Sequence, residues 1–293
     1  MRAPLVTPFF HAESHTFAYL VRDPASRAAA IIDPCLDFDP KAGRTGTASA
    51  QAILDAVRAE GLEVGWILET HAHADHLSAG HWLKRQLPGA RLAIGEGIRQ
   101  VQATFRAVFN LGEDLATGGV PIDGTPFDHL FADDERFSIG GLEARVIPVP
   151  GHTNDSVAYL VGDALFTGDS LFMPDGGTAR CDFPGGSAAR LYASIQRLYA
   201  LPDATRVFVC HDYGPGGRPE ACETTIGEQK RANIHVRDGV DEAAFVAMRE
   251  ARDATLDMPT LILPAVQVNI RAGELPPPES NGVRYLKLPI DQF

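Results

Sequence analysis

Residues 70–76 read Thr-His-Ala-His-Ala-Asp-His and directly follow an apolar run at 64–69 that has the character of a buried strand. Four of these residues are candidate metal ligands: His71, His73, Asp75 and His76. Imidazole nitrogens and carboxylate oxygens are common ligands of zinc and iron. A purely structural role gives no reason to crowd so many titratable groups, because they lose solvation and repel one another. The stretch therefore predicts a metal site at the end of a strand.

Three segments further along the chain offer the same chemistry in the same setting. They are Pro-Gly-His-Thr with His152, Thr-Gly-Asp-Ser with Asp169, and Val-Cys-His-Asp-Tyr with His211. Each candidate ligand follows a strand-like run, so all of them can converge on one rim of the sheets. A single Gly-His or Gly-Asp turn is more often only a turn, so the inference depends on the joint order.

The remaining pattern indicates a layered α/β protein with mixed sheets. Apolar runs predict strands at 16–21, 28–32, 64–69, 92–94, 136–139, 142–149, 157–161, 164–167 and 206–210. Helical spacing predicts helices at 47–60, 77–87, 97–109, 187–201, 220–233 and 241–254. Residues 283–288 are expected to form a late strand.

Composition excludes several classes of function. The chain of 293 residues carries 38 acidic and 26 basic residues, a net charge of −12. Nucleic-acid phosphates and anionic membranes attract basic surfaces, so neither is an expected partner. No apolar run approaches the roughly 20 residues that span a bilayer. The chain has four cysteines but no CxxC pair, and it shows no signal-peptide pattern. These features predict that the protein is located in the reducing cytoplasm.

The order of His-x-His-x-Asp-His, then His, Asp and His, resembles the metallo-β-lactamase superfamily over roughly residues 15–215. The resemblance implies a four-layer αββα sandwich, with a core at 1–215 and a short C-terminal extension at 216–293 packed on it. It also implies two possible metal positions that share Asp169. One set is His71, His73, His152 and Asp169, and the other is Asp75, His76, Asp169 and His211.

The complete ligand set by itself favours a binuclear zinc hydrolase. Such an enzyme would be similar to glyoxalase II, and that resemblance implies a glutathione thioester as the substrate. The flanking residues are more similar to the persulfide dioxygenase family. The similar stretches are residues 70–76, Phe-Thr-Gly-Asp-Ser-Leu-Phe at 166–172, Arg-Cys-Asp-Phe at 180–183 and His-Asp-Tyr at 211–213. Cys181 within the third stretch resembles the bacterial branch of that family.

The second resemblance implies a mononuclear non-haem Fe(II) enzyme, with one iron per chain, that oxidises glutathione persulfide with O₂ to sulfite and glutathione. The implied iron ligands are His71, His152 and Asp169, which leave about three coordination positions open. The other candidates would surround the ligands or hold a second metal: His73, Asp75, His76 and His211. A homodimer or higher homo-oligomer is expected from the resemblance alone.

Near these ligands, Arg180 is the candidate partner of a substrate carboxylate, since a guanidinium forms forked pairs. Tyr213 is expected to donate a hydrogen bond to the substrate, and Asp182 either fixes Arg180 or caps a turn. Cys181 is interpreted as an inert small residue, although a persulfide could exchange with it. A third hypothesis is a binding or sensor protein without turnover, which the complete ligand set argues against.

Overall fold

The first half of the chain builds a six-stranded sheet in the computed structural model, which describes residues 3–292. Its strands, in spatial order, are β1 (Leu5–His11), β2 (Thr16–Arg22), β3 (Ala28–Ile32), β6 (Glu63–Leu68), β8 (Arg91–Gly95) and β9 (His129–Phe131). β3, β6, β8 and β9 are parallel. Because parallel strands need crossover connections, three helices join them: α1 (Ala48–Ala59), α2 (Gly80–Gln86) and α3 (Ile98–Val108).

The second sheet also has six strands and follows chain order. Its strands are β10 (Arg136–Ile139), β11 (Leu142–Pro148), β12 (Val157–Val161), β13 (Ala164–Phe166), β14 (Arg206–Phe208) and β15 (Glu223–Thr225). Only β13 and β14 are parallel neighbours in this sheet, and α4 (Ala188–Tyr199) crosses between them. The three helices after β15 are α5 (Ile226–Ala232), α6 (Glu242–Asp253) and α7 (Ile262–Asn269). A small third sheet has the order β5-β4-β7, with β4 (Cys35–Asp39), β5 (Arg44–Gly46) and β7 (Leu77–Ser78).

Successive side chains of a strand point to opposite faces of its sheet, and the elements pack in layers against both faces. In β2, Ala18 and Leu20 pack in the apolar core under α1, α2, α3 and α7, whereas Tyr19 and Val21 pack between the two sheets. A third apolar core lies between the second sheet and α4, α5 and α6. Each large apolar side chain buried in this way contributes about 1.5–3 kcal/mol. The predicted four-layer αββα sandwich is thus confirmed.

Residues after 215 contact three parts of the fold. β15 pairs with β14, α6 packs on α4, and α7 packs on β7. The division of the chain at 215/216 stays a prediction. No helix among residues 3–292 is long and apolar enough to cross a membrane.

Three of the sequence predictions differ from the structure. The helix expected at 77–87 begins only at Gly80, because Leu77–Ser78 pairs with β4 as a strand. The strand expected at 283–288 is wrong, because Lys287 N donates to the side-chain oxygen of Gln267 at 2.9 Å instead of joining a sheet. The helix expected at 220–233 begins only at Ile226, because Glu223–Thr225 is paired with β14. Thr225 then caps α5, since its hydroxyl accepts a hydrogen bond from Glu228 N at 3.1 Å.

Candidate metal centre

The candidate ligands lie where strands of both sheets end. His71 follows β6 of the first sheet, whereas His152, Asp169 and His211 follow β11, β13 and β14 of the second. Since the two sheets stack face to face, these strand ends meet at one rim of the sandwich. The structure therefore places each of these residues just past a strand, as the sequence predicts.

His71, His152 and Asp169 form one compact group. Their ligand atoms all lie within 4.8 Å of one another, and all three residues are buried. Asp169 Oδ2 is 3.8 Å from His71 Nε2 and 3.5 Å from His152 Nε2. Three donor atoms thus face a common point.

Neighbouring hydrogen bonds direct one nitrogen of each ring toward that point. His152 Nδ1 lies 2.7 Å from the Arg180 carbonyl oxygen, which can only accept, so this nitrogen carries the proton. His71 Nδ1 lies 3.1 Å from the Thr70 hydroxyl. The Nε2 lone pair of His152 therefore remains available for a metal ion. The contact with Thr70 likewise leaves His71 Nε2 directed toward the common point.

The protonation states within this group suit a cation. Burial and the adjacent His73 lower the pKa of His71 well below its ordinary value, which favours the neutral ring. Burial opposes ionisation of Asp169, but the adjacent His211 outweighs it and lowers the pKa of the carboxyl well below its ordinary value. A neutral imidazole at His71 beside an ionised Asp169 carboxylate is a combination that metal ions bind.

The other predicted ligands surround this group. His73 Nε2 is 3.1 Å from Asp33 Oδ1, and Asp75 Oδ2 is 3.4 Å from both His76 Nδ1 and His211 Nε2. Within residues 3–292, His73 groups with Asp75 and His76, with Asp33 and Glu69, or with Asp169, Cys210 and His211. None of these groups unites either four-ligand set that the resemblance implies, so those two sets stay predictions.

Several buried polar atoms in this region have no hydrogen bond. They are His71 Nε2, His73 Nδ1 and His76 Nε2, whereas Asp169 Oδ1 and His211 Nε2 face each other at 3.2 Å. An unsatisfied buried polar atom costs about 1–3 kcal/mol, so a cluster of them is expensive without a ligand. A cation that accepts their lone pairs would relieve that cost. The residues present therefore fit a metal ion.

Two glycines allow the strand ends to approach closely. Gly151, before His152, has φ +148°, and a Cβ there would lie 2.3 Å from Leu191 N. Gly168, before Asp169, has φ +51°, and its Cβ would lie 2.7 Å from the Thr70 hydroxyl oxygen. A side chain at either position would displace the following ligand.

Two acidic residues that the sequence did not indicate support the residue 70–76 loop. Asp33 accepts hydrogen bonds from Thr70 N at 2.7 Å and from the Thr70 hydroxyl at 2.9 Å. Asp155 accepts from Ala72 N at 2.8 Å and is buried. Asp33 directly follows β3, so the strand-end criterion that found the ligands would also have found it.

Asn269, the last residue of α7, was also missed and holds the same loop. Its amide nitrogen donates to the carbonyl oxygens of His73 and His76, both at 2.8 Å, and its oxygen accepts from Ser78 N at 2.7 Å. The side chain is buried. The backbone that carries two candidate ligands is thus fixed by a residue nearly 200 positions away.

Glu69 gives a prediction about the pH dependence of stability. Burial, followed by the nearby charge of Asp33, raises the pKa of Glu69 from 4.5 to about 8. The folded state then binds more protons than the unfolded state between these pH values, so stability falls as the pH rises through this window. Glu69→Gln in metal-free protein should remove this loss of stability. The effect of the substitution on the free energy of unfolding should be a few kcal/mol at pH 8 and almost nothing near pH 4.5.

Urea unfolding at several pH values measures this effect. Glu279→Gln, at an exposed position, serves as the control and should keep the pH dependence of the unchanged protein. A Glu69→Gln variant with that same dependence would contradict the assignment.

A cavity of about 590 Å³ opens onto the site, and Asp75, His152, Asp169 and His211 line its floor. Its walls include Arg180, Phe172, Tyr213 and residues of α6 and the segment after it: Arg249, Arg252, Leu256 and Leu261. The predicted substrate contacts Arg180 and Tyr213 therefore border the same cavity as the candidate ligands.

Arg180 is held by the chain itself. Its guanidinium donates to both carboxylate oxygens of Asp182, at 2.5 and 2.6 Å, and to the Asp257 carbonyl at 2.6 Å. Asp182 thus pairs with Arg180 instead of capping a turn. Tyr213 is 59% exposed, and its ring stacks 6.1 Å from that of His211.

Cys181 and two histidines that stand outside the sequence motifs also lie near the site. Burial raises the pKa of the Cys181 thiol to about 12, which disfavours the reactive thiolate. His11 bonds to the Ser14 hydroxyl at 2.7 Å, whereas His15 lines the cavity and lies 5.3 Å from the ring of Tyr213. His15 therefore lies at the cavity, although it stands outside the sequence motifs.

Comparison with known proteins identifies the family. The profile of the metallo-beta-lactamase superfamily matches residues 12–211. The chain belongs to the metallo-β-lactamase superfamily. Within it, the crystal structure of ETHE1 from Myxococcus xanthus is similar, with a TM-score of 0.71 and 31% identity over 92% of this chain and all of that one.

Similar sequences within the superfamily carry different names. A beta-lactamase hydrolase-like protein of Xylella fastidiosa is 52% identical over 99% of this chain. The match covers 66% of that protein, so the chain spans just under two thirds of this relative's length. The mitochondrial persulfide dioxygenase ETHE1 of Mus musculus is 29% identical, over 94% of this chain and 91% of the mouse protein.

Proposed function

We propose that this protein is a persulfide dioxygenase that binds one Fe(II) through His71, His152 and Asp169. The observation that carries the proposal is the compact, buried group of these three residues beside a cavity large enough for a substrate. Two histidines and one carboxylate are the donor set of non-haem Fe(II) oxygenases. The similarity to the mouse persulfide dioxygenase supports the same activity.

When bound, Fe(II) would supply open coordination positions and the redox chemistry for O₂ and a persulfide sulfur. The chain contributes orientation, because the Arg180 carbonyl and the Thr70 hydroxyl fix the rings of His152 and His71. Asp33 and Asp155 hold the loop that carries His71. Such supporting contacts typically affect metal affinity or activity by about 10–100-fold.

The proposed substrate is glutathione persulfide. With O₂ and one water molecule it would give glutathione and sulfite, the terminal sulfur being oxidised as O₂ is reduced and protons are released. Arg180 and Arg252 on the cavity wall suit an anionic molecule of this kind, whereas Arg249 is buried and paired with Asp253. Arg180 is already paired with Asp182, so a substrate carboxylate would share or displace that pair.

Oxygen consumption tests the proposal. Iron-loaded protein should consume O₂ when glutathione persulfide is added and should release sulfite, and elemental analysis should find about one iron per chain. Zinc-loaded protein serves as the control and should consume none. If iron-loaded protein consumes no O₂, the dioxygenase hypothesis is rejected. If the protein also turns over no thiol ester, the result favours a binding protein.

A binuclear zinc hydrolase of a glutathione thioester is the second candidate. It is favoured by the two oxygens of Asp169, of which Oδ2 faces His71 and His152 while Oδ1 lies 3.2 Å from His211 Nε2. The name of the Xylella fastidiosa relative points the same way. Two zinc ions per chain together with thioester hydrolysis would support this candidate over the first. A cytoplasmic location and a homodimer or higher homo-oligomer remain parts of the proposal.

A further inference from the structure

The peptide unit that joins Arg180 to Cys181 lies between His152 and α6. Its carbonyl oxygen, on Arg180, accepts the hydrogen bond from His152 Nδ1 at 2.7 Å. Its N–H, on Cys181, donates to Asp253 Oδ2 at 2.8 Å. The peptide bond is trans, so this planar unit points its oxygen and its hydrogen in opposite directions. One rigid group therefore connects the ring of a proposed metal ligand with a carboxylate on α6.

The Asp253 carboxylate is itself held by a buried cation. Arg249 Nε donates to Asp253 Oδ1 at 2.8 Å, and Arg249 Nη1 donates to the Thr178 carbonyl oxygen at 3.0 Å. Arg249 is 1% exposed and Asp253 is 5% exposed. A buried ion pair is weak evidence of a role in stability, because apolar side chains of similar size often serve equally well. The contacts of this pair with the backbone at Thr178 and Cys181 indicate a role in geometry instead.

We propose that Asp253, held by Arg249, positions His152 through the Arg180–Cys181 peptide unit. The negative charge at the N–H end polarises this unit, so its carbonyl oxygen accepts more strongly from His152 Nδ1. That hydrogen bond keeps the proton on Nδ1 and directs Nε2 toward Asp169, whose Oδ2 is 3.5 Å away. A carboxylate that accepts directly from a metal-bound histidine has the same effect, and here a peptide unit lies between the two. The inference rests on His152 as a metal ligand of the proposed function, but not on the reaction.

The tautomer of His152 in metal-free, full-length protein tests this contact directly. Long-range proton–nitrogen NMR spectra distinguish a neutral ring protonated at Nδ1 from one protonated at Nε2, and the signals of His152 are identified by their loss in His152→Gln. The unchanged protein should show one form, with the proton on Nδ1. Asp253→Asn should show both forms, because the amide nitrogen must face either Arg249 or Cys181 N, and both of these are donors.

Affinity for Zn²⁺, measured by competition with a chelator, gives the second readout. Asp253→Asn should bind Zn²⁺ about 10–100-fold more weakly, which is the usual effect of losing a contact that orients a ligand. If this variant does not fold, Arg249→Met combined with Asp253→Leu takes its place. The double substitution leaves no buried charge unpaired, so it should fold, yet it removes the contacts with Thr178 and Cys181 and should give the same two results.

Phe245→Leu is the matched control for a purely structural role. Phe245 is fully buried on the same helix, and its ring lies 5.6 Å from that of Tyr192 on α4. This variant should have a lower melting temperature but keep the single tautomer and the Zn²⁺ affinity of the folded protein. The proposal is overturned if Asp253→Asn keeps the single tautomer, or if Phe245→Leu loses as much affinity as Asp253→Asn.

His152→Gln separates a failure of this inference from a failure of the proposed function. If His152 is a ligand, this variant should lose Zn²⁺ affinity, and an Asp253→Asn variant of normal affinity would then overturn the positioning role. Normal affinity in His152→Gln would instead reject His152 as a ligand and with it the proposed function. The tautomer in metal-free protein still decides whether Asp253 acts on the ring.

Discussion

Replacing Asp169 with asparagine is expected to abolish metal binding and turnover together. The carboxylate has one oxygen 3.5 Å from His152 Nε2 and the other 3.2 Å from His211 Nε2, so it serves both sides of the centre. Asparagine keeps the size but offers a single uncharged oxygen. Loss of a supporting residue alone costs about 10–100-fold in metal affinity, so loss of this ligand should exceed about 100-fold.

Competition with a chelator, followed by elemental analysis, measures this loss. Asp163→Asn is the matched control, because that carboxylate pairs with Arg206 at the end of a hairpin and is 41% exposed. The control should keep its metal and its activity. An Asp169→Asn variant that retains normal metal content would contradict the assignment of Asp169 as a ligand.

Much of this centre could be predicted because its signals are local. The ligand types, the glycines before His152 and Asp169, and the apolar runs before each ligand all lie within a few residues. A strand that ends at a sheet rim directs the following residue to that rim, whichever sheet contains it. A layered α/β fold was predictable for a related reason, since continuous apolar runs such as β2 indicate strands buried on both faces, whereas the four-layer arrangement was implied by the resemblance.

The parts that could not be predicted depend on contacts between distant residues. Asn269 lies 193 positions from His76, and no periodicity in α7 indicates that its side chain meets the metal loop. The tail near Lys287 has the composition of a strand, yet a strand also requires a free sheet edge, and the Gln267 side chain provides the hydrogen bonds instead. The shape of the cavity wall formed by α6 could not be predicted either, because it also depends on contacts between distant residues.

Asn269→Asp is expected to weaken metal binding without unfolding the protein. Aspartate keeps the oxygen that accepts from Ser78 N but loses both donors to the carbonyl oxygens of His73 and His76. A carboxylate would then face two carbonyl oxygens, and the loop that carries these histidines and the proposed ligand His71 would shift. We expect metal affinity to fall by about 10–100-fold, as for other residues that orient ligands.

Gln267→Glu on the same helix provides a matched control. The Gln267 amide nitrogen donates to the carbonyl oxygens of Leu263 and Lys287, at 2.8 and 2.9 Å, and its oxygen accepts from Lys287 N. This substitution is the same amide-to-acid change in a buried side chain, but its contacts lie with the tail and not with the metal loop. It should lower thermal stability and leave metal affinity per folded molecule unchanged.

The comparison of the two variants separates a positioning role from a structural one. Both lose two donated hydrogen bonds, which cost about 1–3 kcal/mol for each group left unsatisfied, so their melting temperatures should fall by similar amounts. If Asn269 acted only through stability, both variants would show equal metal affinity under conditions where each is folded. A selective loss in Asn269→Asp, measured by chelator competition at low temperature, would mean that α7 controls the geometry of His73 and His76.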